Sequence, residues 1–328
     1  MTTDIDVDAL AADLAQKIRV TTPPCTANLR DVSYIETVSI VCKFCGSRDV
    51  VKDGVRGGVQ YYWCKACRRK FAGNAALPGM RVPPDRIATA VNLFYEGLSL
   101  EAIRRSIGET YHETPSDSTV YEWVVRFTKE AVSKAGAFKA RTGDIWAADE
   151  TVLDVAGGRT AEGSDNTIWF WDVVCEETKF LLASHMSLTR TIRDAEALFT
   201  QARGRSLTVP KFIITDKLAA YLEGIERVFG ADAKHIQSQG MDRSTHNNII
   251  ERFHGTLKAR TKVMRGLKSR ESARTILGGW LVHYNFFRPH EGLKGRTPAQ
   301  AAQIQFPYAS WKDIIQDGYH GDVVRVST

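Results

Sequence analysis

Two CxxC pairs impose the tightest local constraint on this chain. Cys42 and Cys45 form the first and Cys64 and Cys67 the second, with 18 residues between Cys45 and Cys64. That interval lies in the window in which two knuckles converge on one tetrahedral ion. The intervening VVKDGVRGGVQYYW, residues 50–63, has turn residues flanked by β-formers, as a hairpin joining the knuckles requires. The reading is a zinc ribbon in which all four cysteines hold one structural Zn²⁺, because four thiolates leave no open coordination position for chemistry. A pair of redox dithiols competes, although redox CxxC sits beside a βαβ unit rather than in tandem. Cys25 and Cys175 are isolated, so the dense framework of a secreted disulfide protein is missing. The N-terminus carries several acids and no long apolar run, which sets aside a signal peptide and a membrane span.

At 328 residues the chain is long enough for several units, and 43% hydrophobic against 25% charged residues supplies a real core. Its formal net charge of +6 is compatible with a polyanionic partner without identifying one. Pro/Gly-rich and polar connectors divide it into an N-terminal arm (1–39), the ribbon (40–74), a helical segment (84–136), an α/β segment (143–305) and a tail (306–328). The arm holds one amphipathic helical candidate around Val7 to Ile18.

Within 84–136, Ile87, Val91, Phe94 and Tyr95, then Leu100, Ile103 and Ile107, then Val120, Trp123, Val124 and Phe127 recur at helical spacing. Gly97 and Gly108 are expected to end the first two helices, Ser99 to cap the second, and PSDS (115–118) to cap the third. Three short helices with a tight middle turn suit a helix-turn-helix, whose third helix would present Thr119 and Arg126 to DNA while Trp123 and Phe127 pack inward. A three-helix bundle that binds nothing has the same apolar spacing.

Beyond Ile145 the period shortens. Runs at 145–155, 167–175 and 179–184 read as a three-strand meander. A helix (193–202), a strand (211–215), a second helix (218–229) and a long helical region (246–285) follow, predicting a mixed sheet flanked by helices. Asp149 lies in WAADETVLDV, where strand alternation places it opposite Glu150, so the two adjacent acids are not expected to share a site. Asp216 directly follows the strand KFIIT, and Glu251 sits in the helix THNNIIERFHGTLKAR. Acids from a strand, a strand end and a helix suit two Mg²⁺ ions, which favour oxygen ligands. Asp154, Asp172 and Asp242 compete without forming an equivalent triplet.

The segments WAADET, IITDKLAAY, NNIIERFHGTLKARTKVMRGLKS and HYNFFRPHEGLKGRTPAQAA resemble, in order, the catalytic segments and closing tail of insertion-sequence transposases of the DDE, retroviral-integrase-like superfamily. The 34 residues between Asp216 and Glu251 are characteristic of one such group. The resemblance spans about Ile145 to Gln303. It implies an RNase H-like catalytic fold, dependence on two Mg²⁺ or Mn²⁺ ions at Asp149, Asp216 and Glu251, and an N-terminal DNA-binding region. The implied activity is cleavage and strand transfer of DNA at element ends and into target DNA, by a homodimer or higher oligomer in a synaptic complex. The implied location is the cytoplasm of a prokaryote, with the nucleoid, or the nucleus of a eukaryote, with no membrane partner. A transposase-derived DNA-binding regulator without catalysis is the competing function.

Basic residues concentrate beyond Glu251. Lys258, Arg260, Lys262, Arg265 and Lys268 form a candidate nucleic-acid track, and Lys258 falls two turns after Glu251 on one helix face. Arg68 and Arg69 place positive charge at one edge of the ribbon. For both groups a merely solvated basic face is the alternative. His254, three residues after Glu251, reads as a hydrogen-bonded structural histidine.

Overall fold

The computed structural model describes residues 40–159, 165–238, 248–264 and 267–317. The N-terminal arm, Asp242, Arg265 and the end of the tail lie outside the described residues.

The ribbon is a three-stranded antiparallel sheet of β1 (Val50–Arg56), β2 (Val59–Cys64) and β3 (Lys70–Ala72). Gly57 and Gly58 join β1 to β2 at φ 54° and 76°, left-handed values that suit a two-residue hairpin turn and that other residues rarely adopt.

Three helices follow: α1 (Pro84–Tyr95), α2 (Leu100–Tyr111) and α3 (Asp117–Ala135). Ser99 and Ser116 cap α2 and α3, each hydroxyl accepting from a backbone N–H at 3.2 Å. Trp123 and Phe127 are buried, while Arg126 is exposed. Gly108 does not end α2. The helix runs on to His112, which stops it at φ 55° and sends its N–H to the Gly108 carbonyl. A glycine inside a helix weakens it without terminating it when Ile103 and Ile107 anchor the same turns in the core.

The α/β part contains β4 (Ile145–Arg159), β5 (Asp165–Cys175), β6 (Leu181–Ser187), α4 (Ile192–Arg205), β7 (Phe212–Thr215), α5 (Ala219–Phe229), β8 (Lys234–Gln237), α6 (Asn248–Val263) and α7 (Arg270–Val282). Its five strands lie in the order β6-β5-β4-β7-β8. The β4–β5–β6 meander is antiparallel, whereas β7 and β8 run parallel to β4. An antiparallel meander extended by two parallel strands beside its first member is the RNase H-like sheet, flanked by helices.

Strand alternation in β4 assigns the two faces. Trp146 meets Phe229, and Trp171 of β5 meets Tyr221, so α4 and α5 cover one side of the sheet. Asp149 and its cross-strand partner Asp172 point to the other, toward α6.

The expected helical region from 246 to 285 is two helices. Residues 267–269 leave the helix, Leu267 bridges to Val155 of β4, and Ser269 caps α7. Turning at this point lets both helices bury an apolar stripe, which one straight rod could not do against a twisted sheet.

The α7 helix also meets the helical triplet. A Cβ on Gly279 would collide with Tyr95 and Thr128, whose hydroxyls lie 2.5 Å apart, so glycine permits this close approach. After α7, residues 283–287 widen into a π-turn, and two short helices follow, α8 (Pro298–Ala301) and α9 (Trp311–Asp317). Trp311 is buried, stacks on Tyr95 with ring centroids 5.2 Å apart, and donates to Nδ1 of His283 at 3.3 Å. Residues 306–317 therefore pack on α1, a role the tail sequence did not suggest. Among the described residues no helix is long and apolar enough to cross a membrane.

Candidate active site and metal centres

At the ribbon, the Sγ atoms of Cys42 and Cys67, and of Cys45 and Cys64, lie 3.6 Å apart. All four sulfurs fall within 4.8 Å of one another. A disulfide needs ~2.05 Å. Four ligands at ~2.3 Å around a tetrahedral zinc ion put sulfurs ~3.8 Å apart, so the set fits zinc and a zinc ribbon. The Cys67 backbone N–H first of all lowers the Cys64 thiol to about 7, while burial raises Cys42 to about 12. Ionising all four together requires a cation to neutralise them. Around the knuckles, Arg68 and Arg69 are exposed, and Arg69 also lies over the Phe44 ring at 5.0 Å.

The second cluster stands at the rim of the α/β sheet. Pairing of β4 with β7 ends at Ala147 and Ile214, so Asp149, Glu150 and Asp216 lie just beyond the joined part, where the two chains separate. One carboxylate oxygen from each falls within 4.8 Å of the others. Asp216 is fixed by its own turn, with Oδ1 accepting from the Leu218 N–H at 2.9 Å. Glu150 accepts from the Tyr221 hydroxyl at 2.7 Å and faces Arg190 at 3.6 Å.

The presence of Glu150 corrects the sequence reading. Alternation does send Asp149 and Glu150 to opposite faces, but it governs Cβ direction only. Where β4 is paired to β5 alone and its side toward β7 is open, the longer glutamate side chain comes round to the same notch. Burial first, then the charges of Asp216 and Asp149, raise the Glu150 carboxyl; burial and Asp149 likewise raise Asp216. Crowded oxygen donors that resist ionising together are what a hard divalent cation relieves.

Glu251 lies in the first turn of α6 with its side chain exposed, outside the group formed by the other three acids. One turn on, His254 reaches Asp149, its Nδ1 3.6 Å from Oδ2. Its Nε2 is 3.0 Å from Oδ2 of Asp172, which has no exposed surface and also accepts from the Ser184 hydroxyl. Burial opposes the charged imidazole, but Asp149 and Asp172 outweigh it and lift His254 to about 9. Asp172 was legible as a lone acid inside the apolar run IWFWDVVC, where a buried charge must be paired.

The basic track divides. Lys258, Lys262 and Lys268 are exposed and Arg265 is outside the described residues. Arg260 is buried, with its guanidinium 3.9 Å from the Phe94 ring centre, and so is not a surface phosphate contact. The physical reason is its place on the α6 face turned toward α1, where the long stem completes an apolar contact. Thr119 is half-buried at the start of α3, and Arg126 also lies 4.0 Å from Glu130.

Residues 143–290 match the family model of the DDE domain of IS240-type transposases. A DDE transposase domain occupies this part of the chain. The match encloses Asp149, Asp216 and Glu251. No curated protein matches the chain. Among solved structures, the magnesium-bound HTLV-2 integrase catalytic core in its trimeric form shares 18% identity, covering 51% of this chain and 99% of that one at a TM-score of 0.37. The BIV integrase catalytic core shares 16% over 49% of this chain and 93% of its own at 0.35. A simian T-cell lymphotropic virus intasome bound to a PP2A regulatory subunit shares 14% over 50% and 56% at 0.37. The strand order and strand directions of the DDE domain are those of the RNase H-like fold.

Proposed function

We propose that this chain is a DNA transposase that cleaves DNA strands at the ends of a mobile element and joins them to target DNA. Asp149, Asp216 and Glu251 would hold two Mg²⁺ or Mn²⁺ ions. The observation that carries the reading is the meeting of Asp149 and Asp216 at the sheet rim inside the DDE domain. Glu251 supports it from α6, since the turn it begins is tied through His254 to Asp149. An exposed glutamate on that turn has the rotamer freedom to move toward the two aspartates when a cation draws it in.

Divalent ions held there would lower the pKa of an attacking water and stabilise the leaving 3′ oxygen. The residues themselves arrange the substrate. Asp149 and Asp216 fix one wall of the notch, while Lys258, two turns beyond Glu251, offers an ammonium to a neighbouring phosphate. A freed 3′-OH bound in the same notch can then act as nucleophile toward target DNA.

The zinc ribbon and helix-turn-helix would place the element end. Arg68 and Arg69 on the ribbon, Thr119 and Arg126 on α3, and Lys262 and Lys268 beside α6 supply the contacts, and two copies are needed to process two ends. In the deciding experiment, purified protein with Mg²⁺ is given a supercoiled plasmid carrying the element ends. Nicking at the ends and joined products are expected, and Asp216→Asn should bind the ends yet leave them uncut. Unchanged cutting by that variant would overturn the assignment.

A further inference from the structure

A cavity of about 350 Å³ opens between the helical triplet and the α6–α7 arm. Its walls are mostly apolar, with Leu98, Tyr121, Met264, Leu267 and Ile276 among them. Arg260 lines it while being only 4% exposed. Among the described residues its Nε, Nη1 and Nη2 have no hydrogen-bond partner. The Phe94 ring covers one face of the guanidinium plane, which leaves the N–H groups radiating from its edge unmet. Burial lowers its pKa to about 10.

No acid lines the cavity among the described residues, and Lys268 adds a second positive charge at its wall. Two helix starts reach the same space, α2 through its cap Ser99 and α7 through Ser272 in its first turn. Both present the positive end of a helix dipole. The cavity is thus cationic at Arg260 and apolar elsewhere, and nothing of this chain's described residues completes it. A buried guanidinium left without acceptors is costly, and a planar carboxylate matches its fork with two parallel hydrogen bonds. A DNA phosphodiester is a poor match, because a side chain this enclosed cannot meet a phosphate flanked by two sugars.

We propose that this cavity binds a small aliphatic carboxylic acid, with its carboxylate on Arg260 and its chain among Leu98, Tyr121, Met264 and Ile276. The volume falls within the range of small-molecule sites. A ligand seated there touches both the helical triplet and the DDE domain, so its binding stabilises the seam between them. The inference stands apart from the catalytic reading, since it uses none of the clustered carboxylates.

The test is titration calorimetry of the full zinc-loaded chain with decanoate, decanol and acetate, all below micellar concentration. Decanoate should bind about tenfold tighter than decanol, the difference expected of one charge-assisted carboxylate pair, and acetate should bind weakly for want of a chain. Arg260→Met should remove the preference for decanoate. Met264→Trp, at a half-buried position one turn beyond Arg260, narrows the cavity while keeping the guanidinium and should block both chains. Equal binding of decanoate and decanol by the unaltered protein, or undiminished decanoate binding by Met264→Trp, would overturn the proposal.

Discussion

His254 and Asp172 are joined at 3.0 Å in the interior, and through the other ring nitrogen of His254 that pair reaches Asp149. Asp172 stands directly across from Asp149 in the β4–β5 ladder. The hairpin and α6 are therefore linked beside Asp149, one turn from Glu251. Groups that orient a metal ligand typically change metal affinity ~10–100-fold when removed. His254→Gln should weaken Mn²⁺ binding by about that factor, measured by calorimetry, with the circular dichroism spectrum unchanged. Unaltered affinity would mean that the strands alone position Asp149. Asp172→Leu should cost more, about 3–5 kcal/mol in stability, because it strips the buried imidazole of its nearer carboxylate and leaves only Asp149 beside it.

Glu150 and Glu251, far apart in sequence, are the two candidates for a third acid beside Asp149 and Asp216, and their surroundings differ. Glu150 already has Tyr221 and Arg190 as partners, whereas Glu251 is exposed on its helix. Glu150→Gln should therefore lower divalent-ion affinity about tenfold while leaving cleavage measurable at saturating metal, on the ground that it removes one nearby charge. Glu251→Gln should remain inactive at any metal concentration. Plasmid nicking across a Mn²⁺ titration distinguishes them, and the reverse pattern would make Glu150 the third ligand.

Legibility differed by the kind of physics involved. The ribbon could be read because four thiols at fixed intervals admit few geometries, and Ser99 and Ser116 announced their helices through local hydrogen bonds. Asp216 was recognisable as the acid after an apolar strand. Arg260 was misread, since a basic residue among lysines looks solvated until its helix face is known. Strand β8 was missed because KHIQ is four residues with no apolar alternation, and it is held by parallel pairing to β7 rather than by its own propensity. Glu150 was dismissed on alternation, a rule about backbone that does not extend to the tip of a long side chain. Helix α9 could not be foreseen, since its reason for folding is a surface made by Tyr95 and His283, far away in sequence.

Zinc should be countable and separable from catalysis. The four-sulfur set predicts one zinc per chain by elemental analysis, and binding free energy at such sites, roughly 10–16 kcal/mol in isolated fingers, is largely folding energy of the ribbon. Cys64→Ser should lose the metal and expose the amides of residues 50–72 to hydrogen exchange, while those of the β4–β6 meander stay protected. Loss of protection throughout the chain would show that the ribbon and the DDE domain fold as one unit.

His283 ties the DDE domain to the helical triplet and gives stability a pH signature. Its Nε2 lies 3.2 Å from Glu96, its Nδ1 accepts from Trp311, and the ring is almost fully buried. That pattern requires the neutral ring with its proton on Nε2. Burial, with Arg288 and Arg260 adding to it, lowers the His283 pKa below its ordinary 6.5 despite the pull of Glu96. Between the lowered folded value and 6.5 the unfolded chain binds more protons, so the contribution is whole above pH 6.5 and is lost as the pH falls below it. Glu96, held down first by the hydrogen bond from His283, adds a loss in the same direction below its ordinary 4.5. His254, whose pKa is raised, works in the opposite sense and fades as the pH climbs through about 9. Comparing urea midpoints of the unaltered protein and His283→Gln at pH 7.5 and 5.5 isolates the one group. The unaltered protein should lose more stability on acidification, by up to about 1.4 kcal/mol for each pH unit below 6.5. Identical losses would place the proton-sensitive contact elsewhere in the seam.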